Sequence, residues 1–229
     1  MAKLKVLSAG AVEGPLTALV AEFARAHGVE VDLDFSTVGD LKARFVGGET
    51  ADVIALSMPV LQALDQEGRF VPGSIVELGR ASCGVAIRDG FLTPNIATAE
   101  AFKKALLNAR SVAQTDPAQG GSSGIYFAAL MERMGIADEM KDKMRYGKTG
   151  RDVGLLVRGL RAELGVTFTS EFLPIEGLRV IGTFPKAYEY VNGYGAAIPR
   201  GGDVAQAKAL LAFLSGPAAK PRFQAFGLE

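Results

Sequence analysis

Leu4-Lys5-Val6-Leu7-Ser8-Ala9-Gly10-Ala11, followed closely by Gly14-Pro15, is the stretch whose reading decides the fold. An apolar run gives way to small residues and then to a proline. Proline is tolerated in the first turn of a helix, where its missing N–H costs nothing. Leu16, Leu19, Val20 and Phe23 then fall at i, i+3, i+4 and i+7, one apolar stripe. His27-Gly28 ends that helix, glycine being suited to the left-handed residue past a helix end. Working outward, Val29 to Phe35 alternates as a second strand, and Thr37 caps a helix carrying Leu41 and Phe45. Ala51 to Leu56 reads as a third, buried strand, and Ser57 caps a helix with Leu61 and Leu64. The order β-α-β-α-β-α predicts an α/β fold with a parallel sheet covered by helices.

The rest of the chain continues the pattern. Strands are predicted at Ser82–Ile87, Ser111–Gln114, Gly165–Phe168, Leu178–Ile181 and Tyr194–Ile198. Helices are predicted from Thr98, from Ile125 after the loop Gln119–Gly124, from a cap at Asp152, from Asp203 and from about Ala218. The chain shows no internal repeat and no low-complexity linker. Crossings near Ser82–Ile87 and Tyr194–Ile198 divide it into one lobe of residues 1–80 plus 195–229 and a second lobe of residues 81–194.

Bulk properties exclude several classes. Among 229 residues, Lys+Arg and Asp+Glu are both 25, so no net charge draws the chain to nucleic acid or to an anionic membrane. The single cysteine, Cys83, forbids an intramolecular disulfide and sits in an apolar run as a core thiol. The one histidine, His27, ends a helix and makes a Ser-His-Asp triad improbable. No apolar run approaches the ~20 residues of a membrane-spanning helix. Met1-Ala2-Lys3 leads straight into the first strand without a leader pattern. The expectation is a cytoplasmic protein, or a periplasmic one whose leader has been removed. With no phosphate-binding glycine motif, no H-E-x-x-H and no clustered carboxylates, neither an organic cofactor nor a tightly bound metal is expected.

What remains is four strand-to-helix junctions rich in small and hydroxyl residues: Ser8-Ala9-Gly10-Ala11, Ser36-Thr37-Val38-Gly39, Leu56-Ser57-Met58 and Gly121-Ser122-Ser123-Gly124. Each alone is explained by caps and turns. Together they would line the C-terminal edges of parallel strands, where ligands bind in α/β sheets. Helix N-termini there offer unsatisfied N–H groups to an oxyanion.

These junctions carry a resemblance. Val6–Ala11, Phe35–Leu41, Gly48–Val53, Asp116-Pro117 with Ser123–Tyr126, Asp152-Val153, Leu164–Phe168 and Gly216–Ala219 keep the order and spacing of the molybdate-binding, type II periplasmic solute-binding proteins. The resemblance implies a two-lobed periplasmic-binding-protein-like fold with a ligand cleft between the lobes. It also implies a small anionic ligand, no direct membrane insertion, an ABC transporter permease as partner, and a monomer. In that family, serine hydroxyls from the first two junctions, later backbone amides and a tyrosine hydroxyl hold the oxyanion. Carried over, these places fall near Ala11, Thr37 or Val38, Ser123, Val153 and Phe168, and the junctions themselves add Gly10, Ser57, Ser122 and Gly124 as candidate ligand contacts. Ala11 has no hydroxyl and Phe168 no phenol, which disfavours molybdate, since charge-assisted hydrogen bonds are the strong ones. Arg151, within Arg145–Arg151, is the compensating cation, apt for a carboxylate. An organic carboxylate is therefore expected, and Ser123→Leu is expected to block the site without unfolding the chain.

The same family has aconitate isomerase among its relatives, so a cofactor-independent isomerase of a small polycarboxylate is the alternative. Its base is not identified by the sequence; Lys148, Glu171 and Tyr194 are candidates. Nothing resembles a helix-turn-helix module.

Overall fold

The computed structural model describes residues 3–201 and 204–229. In chain order the elements begin with β1 (Lys3–Ala9), α1 (Glu13–His27), β2 (Glu30–Ser36), α2 (Val38–Val46), β3 (Val53–Ser57), α3 (Met58–Gln66) and β4 (Val76–Arg88). They continue with α4 (Ala99–Asn108), β5 (Val112–Thr115), α5 (Ser122–Arg133), α6 (Ala137–Met140), β6 (Met144–Gly147) and α7 (Gly150–Arg158). The last are β7 (Leu164–Phe168), α8 (Thr169–Phe172), β8 (Leu178–Thr183), β9 (Val191–Ala197), α9 (Val204–Ser215) and α10 (Lys220–Ala225). The helix start predicted at Asp203 and the lead-in at Met1-Ala2 lie outside the described residues. Two compact units result, one of Met1–Ala81 with Asn192–Glu229 and one of Ser82–Val191.

The first unit is built on strands ordered β2-β1-β3-β9. β1 runs parallel to β2, with Ala9 opposite Ser36, and parallel to β3, with Ser8 opposite Ala55. β9 is antiparallel to β3, pairing Tyr194 with Ser57. The predicted stripe of α1 is buried, and its end is closed by Gly28 in the left-handed region at φ 64°. His27 stacks on Phe23 with ring centroids 4.3 Å apart, a structural role. From α9, Ala207, Leu210, Leu211 and Leu214 are buried as the sequence stripe requires. Each such large apolar side chain contributes about 1.5–3 kcal/mol before conformational entropy is charged against it.

An ion cluster ties β1, β2, α2 and the turn before β3 together. Arg44 Nε donates to Glu49 Oε2 at 2.7 Å, and Arg44 also meets Asp34 and Asp40. Lys5 Nζ reaches Glu49 Oε1 at 2.7 Å. Hydrogen bonds from Arg44, then from Lys5, hold the Glu49 carboxyl down at about 2 from an ordinary 4.5. A carboxyl with a depressed folded pKa stabilises the fold fully above its unfolded value and loses that contribution as pH falls through the folded one. The melting temperature of the wild type is therefore expected to fall more steeply between pH 4.5 and 2 than that of Glu49→Gln. Parallel pH profiles for the two proteins would contradict the cluster's role.

The second unit has the order β8-β4-β7-β5-β6. β5 is parallel to β6 and β7, whereas β4 is antiparallel to β7 and β8. The predicted parallel sheet thus holds for β1–β3 and for β5–β7, and the antiparallel strands correct it elsewhere. β6 was not predicted. It has four residues, only Met144 and Gly147 are buried, and its charged neighbours mask the signal. α7 lays Val153 and Val157 on Ala86, Ala113 and Phe172. A Cβ on Gly165 would come within 2.8 Å of Val157, so glycine allows that helix its close approach. Its cap also differs from the reading. Thr149, not Asp152, is the N-cap: its hydroxyl accepts from the Asp152 amide at 3.2 Å, and Asp152 Oδ2 accepts from the Thr149 amide at 2.9 Å. This reciprocal pair is a capping box.

Candidate functional site

In the first unit the parallel register brings three junctions to one sheet edge. β1 ends at Ala9 and passes into a 3-10 turn, Gly10–Val12, with Ala11 buried. β2 ends at Ser36. Thr37 follows as N-cap of α2, its hydroxyl accepting from the Asp40 amide at 3.1 Å. Leu41 N–H makes the first helical bond to Thr37 O, so the Val38 and Gly39 amides precede the helix ladder. β3 ends at Ser57, which stands at the N-cap of α3 without capping it. The side-chain cap predicted for Ser57 is therefore not made. Because β9 is antiparallel, its beginning arrives at the same edge. Tyr194 is opposite Ser57, and Asn192 Nδ2 donates to the Tyr194 hydroxyl at 3.4 Å. Gly10, Ala11, Thr37, Val38 and Ser57 thus stand at one sheet edge. Asn192 was missed, since nothing local in the sequence fixes β9's direction.

The second unit presents its own edge. β5 ends at Thr115, and Asp116 caps the turn Pro117–Gln119 by accepting from the Ala118 amide at 2.9 Å. Gly120 takes φ 72°, Gly121 is the N-cap, and α5 begins at Ser122, three residues before the predicted start. The amides of Ser122, Ser123 and Gly124 precede the first helical bond, Ile125 N–H to Gly121 O at 3.0 Å. A Cβ on Gly124 would lie 2.1 Å from Thr115 O, so α5 sits directly on the end of β5.

The hydroxyl of Ser123 is engaged inside the unit. It lies 2.9 Å from Thr167 Oγ1 and 3.4 Å from Thr115 Oγ1, and Ser123 is buried. This changes the expectation for Ser123→Leu. A leucine there would break a buried hydroxyl network and overpack the α5–β5 contact, so that variant cannot separate binding from folding. Thr167 in turn donates to Glu171 Oε2. The Glu171 carboxylate packs against Gly150 at the start of α7, where a Cβ would meet Oε2 at 2.0 Å. A carboxylate at that helix end is favourable.

The remaining predicted residues divide. Val153 is fully buried and its amide donates to Thr149 O at 3.2 Å, which commits both its side chain and its N–H to the helix. Arg151 is exposed at the second position of α7, Lys148 is exposed ahead of it, and Arg145 spends its guanidinium on the carbonyls of Asp142 and Met144. Phe168 is buried at the end of β7, its ring 5.9 Å from that of Tyr190. Cys83, opposite Phe168, is buried, and that burial pushes its thiol up, as a core residue requires. Among the described residues, no three His, Cys, Asp or Glu side chains gather as a metal site would need. A concavity of about 830 Å3 lies away from this edge, lined by Ile87, Phe91, Leu92, Ala105 and Leu164 near the start of β7. Its size does not mark the chemistry, because it carries none of the junction residues.

Two α/β units, divided within β4 and at the first residue of β9, each with loops and helix N-termini at the C-terminal ends of parallel strands, define the type II periplasmic-binding-protein-like fold. The chain belongs to the bacterial extracellular solute-binding protein family, matched over residues 4–229. It is 29% identical to an aconitate isomerase from Pseudomonas sp over 99% of this chain and 87% of that protein. It is 24% identical to the molybdate-binding protein ModA of Escherichia coli (strain K12) over 98% of this chain and 88% of that one. The solved periplasmic molybdate-binding protein of Azotobacter vinelandii superposes with a TM-score of 0.81 at 19% identity, covering 99% of this chain and 98% of the other. Among the described residues, no helix is long and apolar enough to cross a membrane.

Proposed function

We propose that this chain binds a small organic carboxylate, as the periplasmic solute-binding component of an ABC-type importer. The observation that carries this reading is the donor chemistry of the two edges. Ala11 and Phe168 are buried and apolar, and the Ser123 hydroxyl is engaged internally. A desolvated tetrahedral oxyanion needs donors on every side, and these three positions offer it no free side-chain hydroxyl. The first-turn amides of α2 and α5 suit a carboxylate oxygen, and the Arg151 guanidinium suits a second carboxylate through its planar fork. The relation to an aconitate isomerase points to the same ligand class. Thermal shift against di- and tricarboxylates, molybdate, tungstate and sulfate tests it. At ligand near 100 times Kd, stabilisation is about 2.7 kcal/mol, which raises the melting temperature by roughly 5–11 °C at 2–4 °C per kcal/mol. That rise is expected with a carboxylate, and a rise with molybdate or tungstate alone would sink the reading.

The 29% identity to aconitate isomerase favours a second reading, in which the same ligand is turned over. An allylic shift takes one proton from the methylene of aconitate and returns one to the former alkene carbon, while the double bond moves. Of the three candidate bases, Tyr194 is buried with Asn192 on it and Lys148 is solvated, whereas Glu171 holds a carboxylate oxygen beside the α7 start. Glu171 is thus the base this reading assigns. Proton NMR of trans-aconitate incubated with the protein separates the readings: cis-aconitate formed catalytically supports isomerase, and an unchanged spectrum leaves the binding protein.

A further inference from the structure

Tyr190 is a titratable side chain that neither the family match nor the sequence reading assigns. It sits just before β9, and its carbonyl accepts the Cys83 amide at 2.9 Å. Its ring is stacked on Tyr126 of α5 with centroids 4.2 Å apart and planes 4° apart, and it tilts against Phe168 at 5.9 Å. Tyr126 is itself fixed, its hydroxyl donating to Tyr188 O at 3.0 Å and its ring lying under the Arg133 guanidinium at 5.4 Å. The Tyr190 phenol is hydrogen-bonded by Ser122, the first residue of α5.

We propose that the Tyr190 hydroxyl is a binding and specificity residue, donating to the anion held at the first turn of α5. The inference rests on the anion-binding reading of that edge. The hydrogen bond between Ser122 and the phenol holds the Tyr190 hydroxyl at the first turn of α5. A phenol has one proton and two lone pairs, so with Ser122 donating to it the phenol can give its proton to the anion. Burial, then the neighbouring Cys83, push the phenol up, and Tyr126 adds to this; the group stays neutral and a donor across the physiological range. The stack on Tyr126 fixes the ring before ligand arrives, so little side-chain freedom is lost on binding. A fixed donor at that point selects for an acceptor oxygen and against a ligand group that itself presents a proton.

Titration calorimetry with trans-aconitate, comparing wild type with Tyr190→Phe, is the test. The phenylalanine keeps the ring stack, and affinity is expected to fall about ten-fold or more, the loss of one charge-assisted hydrogen bond. A second measurement needs no variant. Spectrophotometric titration of the wild type follows its five tyrosines, one of which is expected to ionise at higher pH when trans-aconitate is present. Equal affinity in the folded variant, or tyrosine titrations that superpose with and without trans-aconitate, overturns the assignment of Tyr190 alone. A wild type that binds no anion overturns the anion reading and this assignment with it.

Discussion

Gly124→Ala is expected to lower the melting temperature by roughly 4–12 °C. A Cβ at this position would lie 2.1 Å from Thr115 O and 2.9 Å from the Thr115 carbonyl carbon, so neither partner is a flexible side chain that can swing away. Either α5 lifts off the end of β5 or the strand end moves. Overpacking of this kind costs ~1–3 kcal/mol, and a backbone clash belongs at the upper end. Alanine is a better helix former than glycine by up to about 1 kcal/mol, an opposing effect smaller than the clash. At 2–4 °C per kcal/mol for a chain of this size, a net cost of about 2–3 kcal/mol gives the range stated. Ile125→Ala is the control, because Ile125 is 51% exposed and its loss should cost ~0.5 kcal/mol or less. If Gly124→Ala melts with the control, α5 is not seated on β5, and the placement of its first-turn amides falls with it.

Arg151→Ala is expected to weaken carboxylate binding by roughly ten- to a hundred-fold, the range for losing a hydrogen-bonded charge pair of about 1.5–3 kcal/mol. A cation in the first turn of a helix faces the positive end of the helix dipole, which costs a few tenths of a kcal/mol or more. Arg151 stands there all the same, exposed, at the second position of α7. Glu171 already sets one carboxylate at this helix end, and a ligand carboxylate would be a second anion for the same guanidinium. Arg151→Lys keeps the charge but loses the planar fork, so it should recover only part of the affinity. Calorimetry on the three proteins checks the order wild type, Lys, Ala. Equal affinities would assign Arg151 to the solvated surface instead.

Most of the fold was readable because its signals are local. The stripe Leu16, Leu19, Val20, Phe23 and the pair His27-Gly28 specify α1 with its end, and Thr37 and Thr98 cap where the spacing puts them. The first-unit edge followed from the same logic, since parallel strands joined by helices must all end on one side. What escaped the reading is non-local. The pairing of Ser57 with Tyr194 depends on the antiparallel return of β9 across more than a hundred residues. The inward turn of the Ser123 hydroxyl depends on Thr167, which is 44 residues away. The commitment of the Val153 amide depends on a helix that starts one residue after Thr149, and Asp152 pointed to a later start. Tyr190 lies in a segment with no periodicity at all, and only the packing of Tyr126 and Phe168 places it at the edge.

The most direct test of the central claim, that this chain takes a small organic carboxylate, is calorimetric titration of the purified wild type. Trans-aconitate, citrate and molybdate would be titrated in turn at one pH and ionic strength. The account predicts saturable 1:1 binding of at least one tricarboxylate, with molybdate at least ten-fold weaker, because buried Ala11 and Phe168 have no hydroxyl where the resemblance implies donors to a tetrahedral oxyanion. Tight molybdate binding with no heat from either tricarboxylate would contradict it.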